Sequence, residues 1–380
     1  MINRPFWLDQ INRAWKEAPV VWLAGVRRSG KTTLAQNLGG LGRTLYLDCD
    51  LPSTEEKLKD PEFFFRNCEE PIVIFDEIHQ LKDPSRVLKI GADGFKRVKM
   101  LATGSSTLSA GRKFRDTLTG RKRVVHLLPV IWEETEAFKC RDIKRRLFHG
   151  GLPQALLSQE KAAGFYREWL DSFFARDIQK LHPVRDAEKF INFLEYLLRQ
   201  SGGQLESSRA GSELGVSRVT VDSHLRILEM AQAVTRIRPF FGGGQKEIVK
   251  MPKIYGFDTG FVSFVRGWDP LRPQDYGALW EHVVLESLQA YHPNSSVRYW
   301  RDKAGREIDF ILAASRERIH AIECKWDPND FDPIALRTFR SYYPHGMNLI
   351  VSPIAGPAYL KSFKSLTVKV VAPAELAMAV

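Results

Sequence analysis

One octapeptide constrains the folding of this chain more than any other stretch. Gly25-Val26-Arg27-Arg28-Ser29-Gly30-Lys31-Thr32 satisfies the pattern G-x-x-x-x-G-K-S/T, between the apolar run VVWLAGV (20–26) and the helix-forming TTLAQNL. Such a loop works only where a strand delivers it to the start of a helix, because backbone N–H groups and the helix dipole must together face a polyphosphate. The expected ligands are ATP and Mg²⁺. Gly25, Arg28, Ser29, Gly30, Lys31, Thr32 and Thr33 are the expected nucleotide contacts, with Lys31 on the β and γ phosphates and Thr32 on Mg²⁺.

Four further apolar runs fit the sheet that this loop requires: TLYLDCD (44–50), PIVIFDE (71–77), VKMLATG (98–104) and RVVHLLP (123–129). Apolar runs alternating with amphipathic stretches predict an α/β fold, a parallel sheet wrapped by helices. The run PIVIFDE ends in two carboxylates. Asp76 is suited to hold Mg²⁺ directly or through water, and Glu77 to polarise the attacking water; the alternative is that Glu77 caps the helix that follows. The next run ends Thr103-Gly104-Ser105-Ser106, where Ser105 or its neighbour can touch the γ-phosphate. Arg121 in LTGRKR and Arg176 in FFARDIQK are candidate arginine fingers for a neighbouring subunit's nucleotide, or surface salt bridges.

A chain of 380 residues exceeds what one core usually supports, so two to four domains are expected. The cysteines Cys49, Cys68, Cys140 and Cys324 form no C-x-x-C pair, which argues against a zinc site or a disulfide framework. No apolar run approaches the ~20 residues of a membrane span, and MINRPFWLDQ lacks the apolar stretch of a signal peptide, so a cytoplasmic location without membrane contact is expected. The formal charge of +11 and pI of about 9.4 favour polyanionic partners.

From about residue 132 the periodicity becomes helical, as in GFYREWLDSFFARDIQKL (164–181), and reads as a lid. Beyond it, LESSRAGSELGVSRVTVDSHLRILEM reads as a helix-turn-helix, with Gly215 at the turn and Ser217 capping the second helix. Arg218, Thr220, Ser223 and Arg226 are expected to face outward, and Val219, Leu225 and Leu228 inward. The hairpin around Gly242-Gly243-Gly244 carries Arg236, Arg238, Lys246, Lys250 and Lys253 on or beside a wing. Cations so placed suit a reader of the DNA backbone; winged helices also serve as protein-packing modules.

The last third gives a helix, YGALWEHVVLESLQAYHP, then strand pairs in VRYWRDKAGREIDFILAASRERIHAIECKWDP. The second pair turns near Arg316, so Asp309 and Glu323 are equally far from the turn and can share a metal. Lys325 lies on the same face as Glu323, and Glu281 on the preceding helix can approach. Two carboxylates with a lysine suit metal-dependent phosphodiester hydrolysis, and Asp309 with Glu323-Cys324-Lys325 resembles the signature of the PD-(D/E)XK nuclease superfamily. The same residues also fit an interfacial salt-bridge cluster without catalysis.

The order GVRRSGKTTL, IVIFDEIHQL, ATGSS, LTGR, GGLPQALL, RDI, ELGVSRVTV, KMPKIYGFDTG, ALWEHVVLESL, REIDF and IECKW resembles a large prokaryotic family that joins an AAA-type (AAA+) ATPase domain to a C-terminal domain of unknown function, itself a winged helix plus a nuclease-like fold. The resemblance implies an ATPase core at 1–131, a helical lid at 132–190, a winged helix at 191–265 and a PD-(D/E)XK-like domain at 266–380. It implies that Lys31, Thr32, Asp76 and Glu77 bind and hydrolyse ATP, and that Gly150-Gly151-Leu152-Pro153 resembles a nucleotide-sensing lid motif. The chain departs from the family at Trp132 and Glu133, where Pro-Leu-Ser is usual. The leading expectation is a homo-oligomeric ring, a hexamer favoured, that drives DNA remodelling on branched or recombination intermediates. The alternatives are a motor that is also a nuclease, and an ATP-gated switch in defence or signalling.

Overall fold

The computed structural model describes residues 2–104, 118–179, 184, 186–242, 250–293, 295–364 and 366–379, in two compact units. Ser105 and Lys246 lie outside the described residues, as does the side chain of Arg176.

Unit 1 comprises Met1–Pro129, Glu168–Arg185 and Met230–Gln232. The five apolar runs become strands: β1 (Val20–Ala24), β2 (Thr44–Asp48), β3 (Ile72–Asp76), β4 (Lys99–Thr103) and β5 (Lys122–His126). All neighbours are parallel, in the order β2-β3-β4-β1-β5. Every residue of β1 and β3 is buried, which is why VVWLA and IVIFD read as unbroken apolar runs rather than as alternation. On one face Trp22, Phe75 and Met100 pack with Phe65 and Leu88 from the flanking helices. Each such side chain contributes roughly 1.5–3 kcal/mol when withdrawn from water. Because the strands share one direction, Ala24, Asp76 and Thr103 end on a common edge, where ligands bind in open α/β sheets.

Unit 2 comprises Val130–Arg167, Asp186–Glu229 and Ala233–Val380. Its helices Ser207–Leu214 and Arg218–Met230 form the expected helix-turn-helix. Gly215 takes φ 62°, the left-handed residue that ends the first helix, and Ser217 Oγ accepts from Thr220 N at 3.1 Å. Val221, Leu225 and Leu228 face inward, as the i, i+4, i+7 spacing dictates. Val219 corrects the sequence reading: two residues before Val221 places it on the opposite face, and it is 78% exposed.

The hairpin that follows, β6 (Val234–Pro239) and β7 (Lys253–Gly256), does not stand alone. With β8 (Arg298–Arg301), β9 (Glu307–Ala313), β10 (Ile319–Cys324), β11 (Asn348–Val351), β12 (Tyr359–Phe363) and β13 (Leu366–Val371) it forms one sheet, ordered β12-β13-β11-β10-β9-β8-β6-β7. The junction is the parallel pairing of Arg238 and Pro239 with Arg298 and Tyr299.

The Gly150-Gly151-Leu152 stretch is tied down within this unit. Asp258 accepts from Gly151 N at 2.7 Å and Leu152 N at 3.1 Å, and Gly150 takes φ 83° with no room for a Cβ beside that carboxylate. The Gly151 and Leu152 amides are thus engaged by an internal carboxylate. Nearby, the buried Arg146 pairs with Glu286 and donates to Val130 O and Thr259 Oγ. Among the described residues, no helix is long and apolar enough to cross a membrane.

Candidate functional site

At the carboxyl end of β1 the chain turns into the P-loop because Gly25 leaves it room. A Cβ there would stand 2.5 Å from Leu127 O and 2.9 Å from Ser29 Oγ. Arg28 (φ 63°) and Gly30 (φ 96°) take left-handed conformations that wrap the loop onto the helix Lys31–Gln36. From outside the loop, the buried Arg4 braces it by donating to Ser29 O at 3.0 Å. Lys31 Nζ arches back to Gly25 O (2.9 Å) and Val26 O (3.1 Å). Burial pushes the Lys31 pKa down against the opposing charges of Glu77, Asp177 and Asp76. Thr32 and Thr33 are exposed on the first turn.

The carboxylates of β3 are held by residues that the sequence reading missed. The buried Thr103 hydroxyl donates to Asp76 Oδ1 and accepts from Glu77 N at 3.0 Å. Tyr46 OH donates to Asp76 Oδ2 at 2.6 Å. Glu77 sits at φ 50°, a conformation that costs a non-glycine residue roughly 1–3 kcal/mol and that recurs at functional sites. It makes no side-chain cap to the turn that follows, so the capping alternative fails. Its carboxylate instead meets His79 Nδ1 at 3.1 Å. That contact is the largest cause of a Glu77 pKa below the usual range, with Lys31 and Arg27 adding to it and burial opposing.

Arg121 lies at the other end of the sheet. Its carbonyl accepts from Val20 N, where β1 begins, and its guanidinium pairs with Asp93 at 2.5 Å. Arg28, expected on the nucleotide, pairs with Glu168 at 2.5 Å. The donor chemistry fits Mg²⁺: Thr32 offers a hydroxyl oxygen and Asp76 a carboxylate. Both Asp76 oxygens already accept hydrogen bonds, which suits contact through water.

In unit 2, β9 and β10 pair with Phe310 opposite Ile322, and the next step in that register sets Asp309 beside Glu323 as expected. Lys325 Nζ lies 2.9 Å from Glu323 Oε2 and 3.9 Å from Asp309 Oδ2. Asp309 Oδ2 also accepts from Cys324 N at 2.7 Å, and Glu281 accepts from Tyr255 OH at 3.0 Å. Burial, reinforced by Asp309, pushes the Glu281 pKa up to about 7 and that of Glu323 up to about 8. Burial by itself would lower the Lys325 pKa, but Asp309 and Glu323 outweigh it and hold the lysine protonated. The Lys325 ammonium lies between the two carboxylates, and among the described residues no group of three or more His, Cys, Asp or Glu is placed to hold a metal.

Lys253 is the second correction. Placed on the wing from sequence, it is 4% exposed, paired with Glu307, and its ammonium is raised by Glu281, Glu307 and Asp309 against the effect of burial. Of the expected DNA contacts, Arg226 and Lys250 are exposed, and Arg218 is exposed with Asp222 at 3.7 Å. Thr220 is half-buried against the Ser217 hydroxyl. Arg236 is half-buried and spent on Glu229, and Arg238 is half-buried in β6.

Residues 17–136 match the family model described as an AAA domain. Residues 140–272 and 276–366 match two models described as domains of unknown function, DUF8612 and DUF4143. The chain is 28% identical over 322 residues to an uncharacterized protein of Mycobacterium tuberculosis, covering 83% of this chain and 72% of that protein. It is 20% identical over 273 residues to an uncharacterized protein of Methanocaldococcus jannaschii, covering 65% and 59%. Among solved structures it is similar to a Walker-type ATPase of Pyrococcus abyssi (15% identity, 70% of this chain and 96% of that chain, TM-score 0.46). It is also similar to the RuvB Holliday junction branch migration motor of Thermotoga maritima (16% identity, 62% and 90%, TM-score 0.31). The AAA match spans the P-loop and both β3 carboxylates, and with the parallel sheet it makes this part of the chain an AAA-type P-loop ATPase domain.

Proposed function

We propose that the chain hydrolyses ATP at the P-loop and couples turnover to DNA, duplex or branched, as a homo-oligomeric ring, a hexamer favoured. The observation that carries the hydrolysis is the linked set Asp76–Thr103–Glu77–His79 in the same unit as Lys31. The P-loop amides and Lys31 bind the phosphates. Thr32, and Asp76 through water, would hold Mg²⁺, which would neutralise charge on the transferring phosphoryl group. Glu77, kept ionised by His79 and Lys31, accepts a proton from the attacking water. Arg121 or Arg176 of a neighbouring copy stabilises the transition state. DNA contact is supported by the exposed Arg218, Arg226 and Lys250 and by the basic net charge. Phosphate release is measured with and without duplex and junction DNA across a salt series. DNA stimulation that weakens with salt is expected, and neither stimulation nor salt-sensitive binding would overturn the coupling.

A second reading, DNA cleavage in unit 2, is favoured by the convergence of Glu281, Asp309, Glu323 and Lys325. Supercoiled and branched DNA incubated with Mg²⁺ or Mn²⁺ is expected to be cut by the native chain and not by Asp309→Ala. Cleavage surviving that substitution removes this site from the reaction.

A further inference from the structure

Residues 168–178 belong to the same unit as the P-loop and meet it three times. Trp169 Nε1 donates to Arg27 O at 3.0 Å, Glu168 pairs with Arg28 at 2.5 Å, and Asp177 Oδ2 stands 3.9 Å from Arg27 Nη1. The first two contacts brace the loop from outside. The third is different in kind. Asp177 lies in the π-helical turn Phe174–Ile178, a local register often found at functional sites. Its Oδ2 is buried and makes no hydrogen bond, and Arg27 Nε is likewise buried without one. The Asp177 charge acts on Lys31, and the charges of Lys31, Arg27, Glu77 and His79 act on Asp177.

A carboxylate oxygen buried without a hydrogen-bond donor, as Asp177 Oδ2 is, carries a desolvation cost. Here it faces the cations that a polyphosphate requires, beside a loop whose backbone is built to receive anions. Resting on the reading that this P-loop binds a nucleoside triphosphate, we infer that Asp177 is an anionic gate on the nucleotide site, facing Arg27 until the phosphates displace it. The phosphates and Asp177 carry like charge and compete for Arg27, so binding the triphosphate drives the Phe174–Ile178 turn off the loop. The gate senses phosphate number and ignores the base and sugar.

The full-length chain, Asp177→Asn and Asp177→Glu are titrated calorimetrically with ATP, ADP and adenosine in Mg²⁺, alongside steady-state hydrolysis. Removing the charge is expected to tighten ATP binding about tenfold and ADP binding a few-fold, to leave adenosine unchanged and to leave kcat no lower. Asp177→Glu keeps the charge and gains nothing. Asp177→Ser replaces the asparagine variant if that one fails to fold. An equal change for ATP and adenosine, or a weaker affinity for ATP, overturns the gate. A lowered kcat at unchanged affinity also overturns it, because Asp177 then belongs to the chemistry. Native protein that binds no ATP at all sinks the P-loop reading itself, an outcome distinct from each of these.

Discussion

Thr103 offers the sharpest test of how the ATPase centre is organised, because one buried hydroxyl serves both acidic positions. Thr103→Val keeps the β-branched shape that β4 needs and deletes two hydrogen bonds at once. The bond to Asp76 is assisted by charge and worth about 1.5–3 kcal/mol, and that from Glu77 N about 0.5–1.5 kcal/mol. Thr103 is fully buried, so water does not replace the lost partner, and the combined loss is about 2–4 kcal/mol. Because Glu77 already occupies a strained conformation, part of that loss falls on catalytic geometry rather than on folding alone. Steady-state phosphate release should show kcat down about 30- to 100-fold, equivalent to ~2–2.7 kcal/mol, with ATP affinity changed less than about threefold. Urea unfolding should lose the remainder, and Thr103→Ser should recover most of both. A valine variant that keeps kcat within about threefold of native refutes the positioning argument, whatever its stability.

Glu77→Gln should retain ATP binding and lose hydrolysis by about 10²- to 10⁴-fold, read by phosphate release beside equilibrium binding; persistent turnover would remove Glu77 from the role of base. Gly150→Ala puts a Cβ 1.9 Å from Asp258 Oδ1 at φ 83°, so it should lower the unfolding free energy in urea by more than about 2 kcal/mol. Gly164→Ala, which meets nothing within 4 Å in the helix Ala163–Phe173, should be neutral or stabilising by about 0.5–1 kcal/mol. His282 is buried with Nδ1 on Ala278 O (2.8 Å) and Nε2 on Ser201 Oγ (2.6 Å), and burial holds its pKa down to about 4. Since the unfolded chain binds the proton more tightly, this contribution is complete above about pH 6.5 and is lost toward pH 4, about 3 kcal/mol in all. Denaturation at pH 4.5 and 7 should show that difference shrink in His282→Gln, and an unchanged difference would exonerate the histidine.

What was legible in the sequence follows from which forces are local. The P-loop is fixed by spacing, and β1 and β3 by unbroken apolar runs, since strands buried on both faces leave no room for polar residues. The Asp309–Glu323 pairing follows from counting outward from a turn, because register propagates along a hairpin. Errors arose where the local signal is degenerate. Val219 and Val221 are both apolar and β-branched at the start of one helix, and only the packing of Leu225 and Leu228 decides which faces inward. Lys253 reads as a surface cation, and its burial depends on Glu281 and Glu307, carboxylates far along the chain. Tyr46, His79 and Asp177 were missed for the same reason. Their importance lies in contacts with Asp76, Glu77 and Arg27, and the sheet creates those contacts only once β2, β3 and the helix after residue 168 are in place.

The same dependence places the hairpin after the helix-turn-helix and the carboxylate cluster of unit 2 in one sheet. β6 is hydrogen-bonded to β8, β8 to β9, and β9 carries Asp309. From the hairpin's other strand, β7, Tyr255 donates to Glu281 and Lys253 pairs with Glu307. The residues that set the charge of the cluster are thus delivered partly by the β6–β7 hairpin, and a carboxylate such as Glu281, its pKa pushed up to about 7, is the kind of group whose ionisation a shifted neighbour alters.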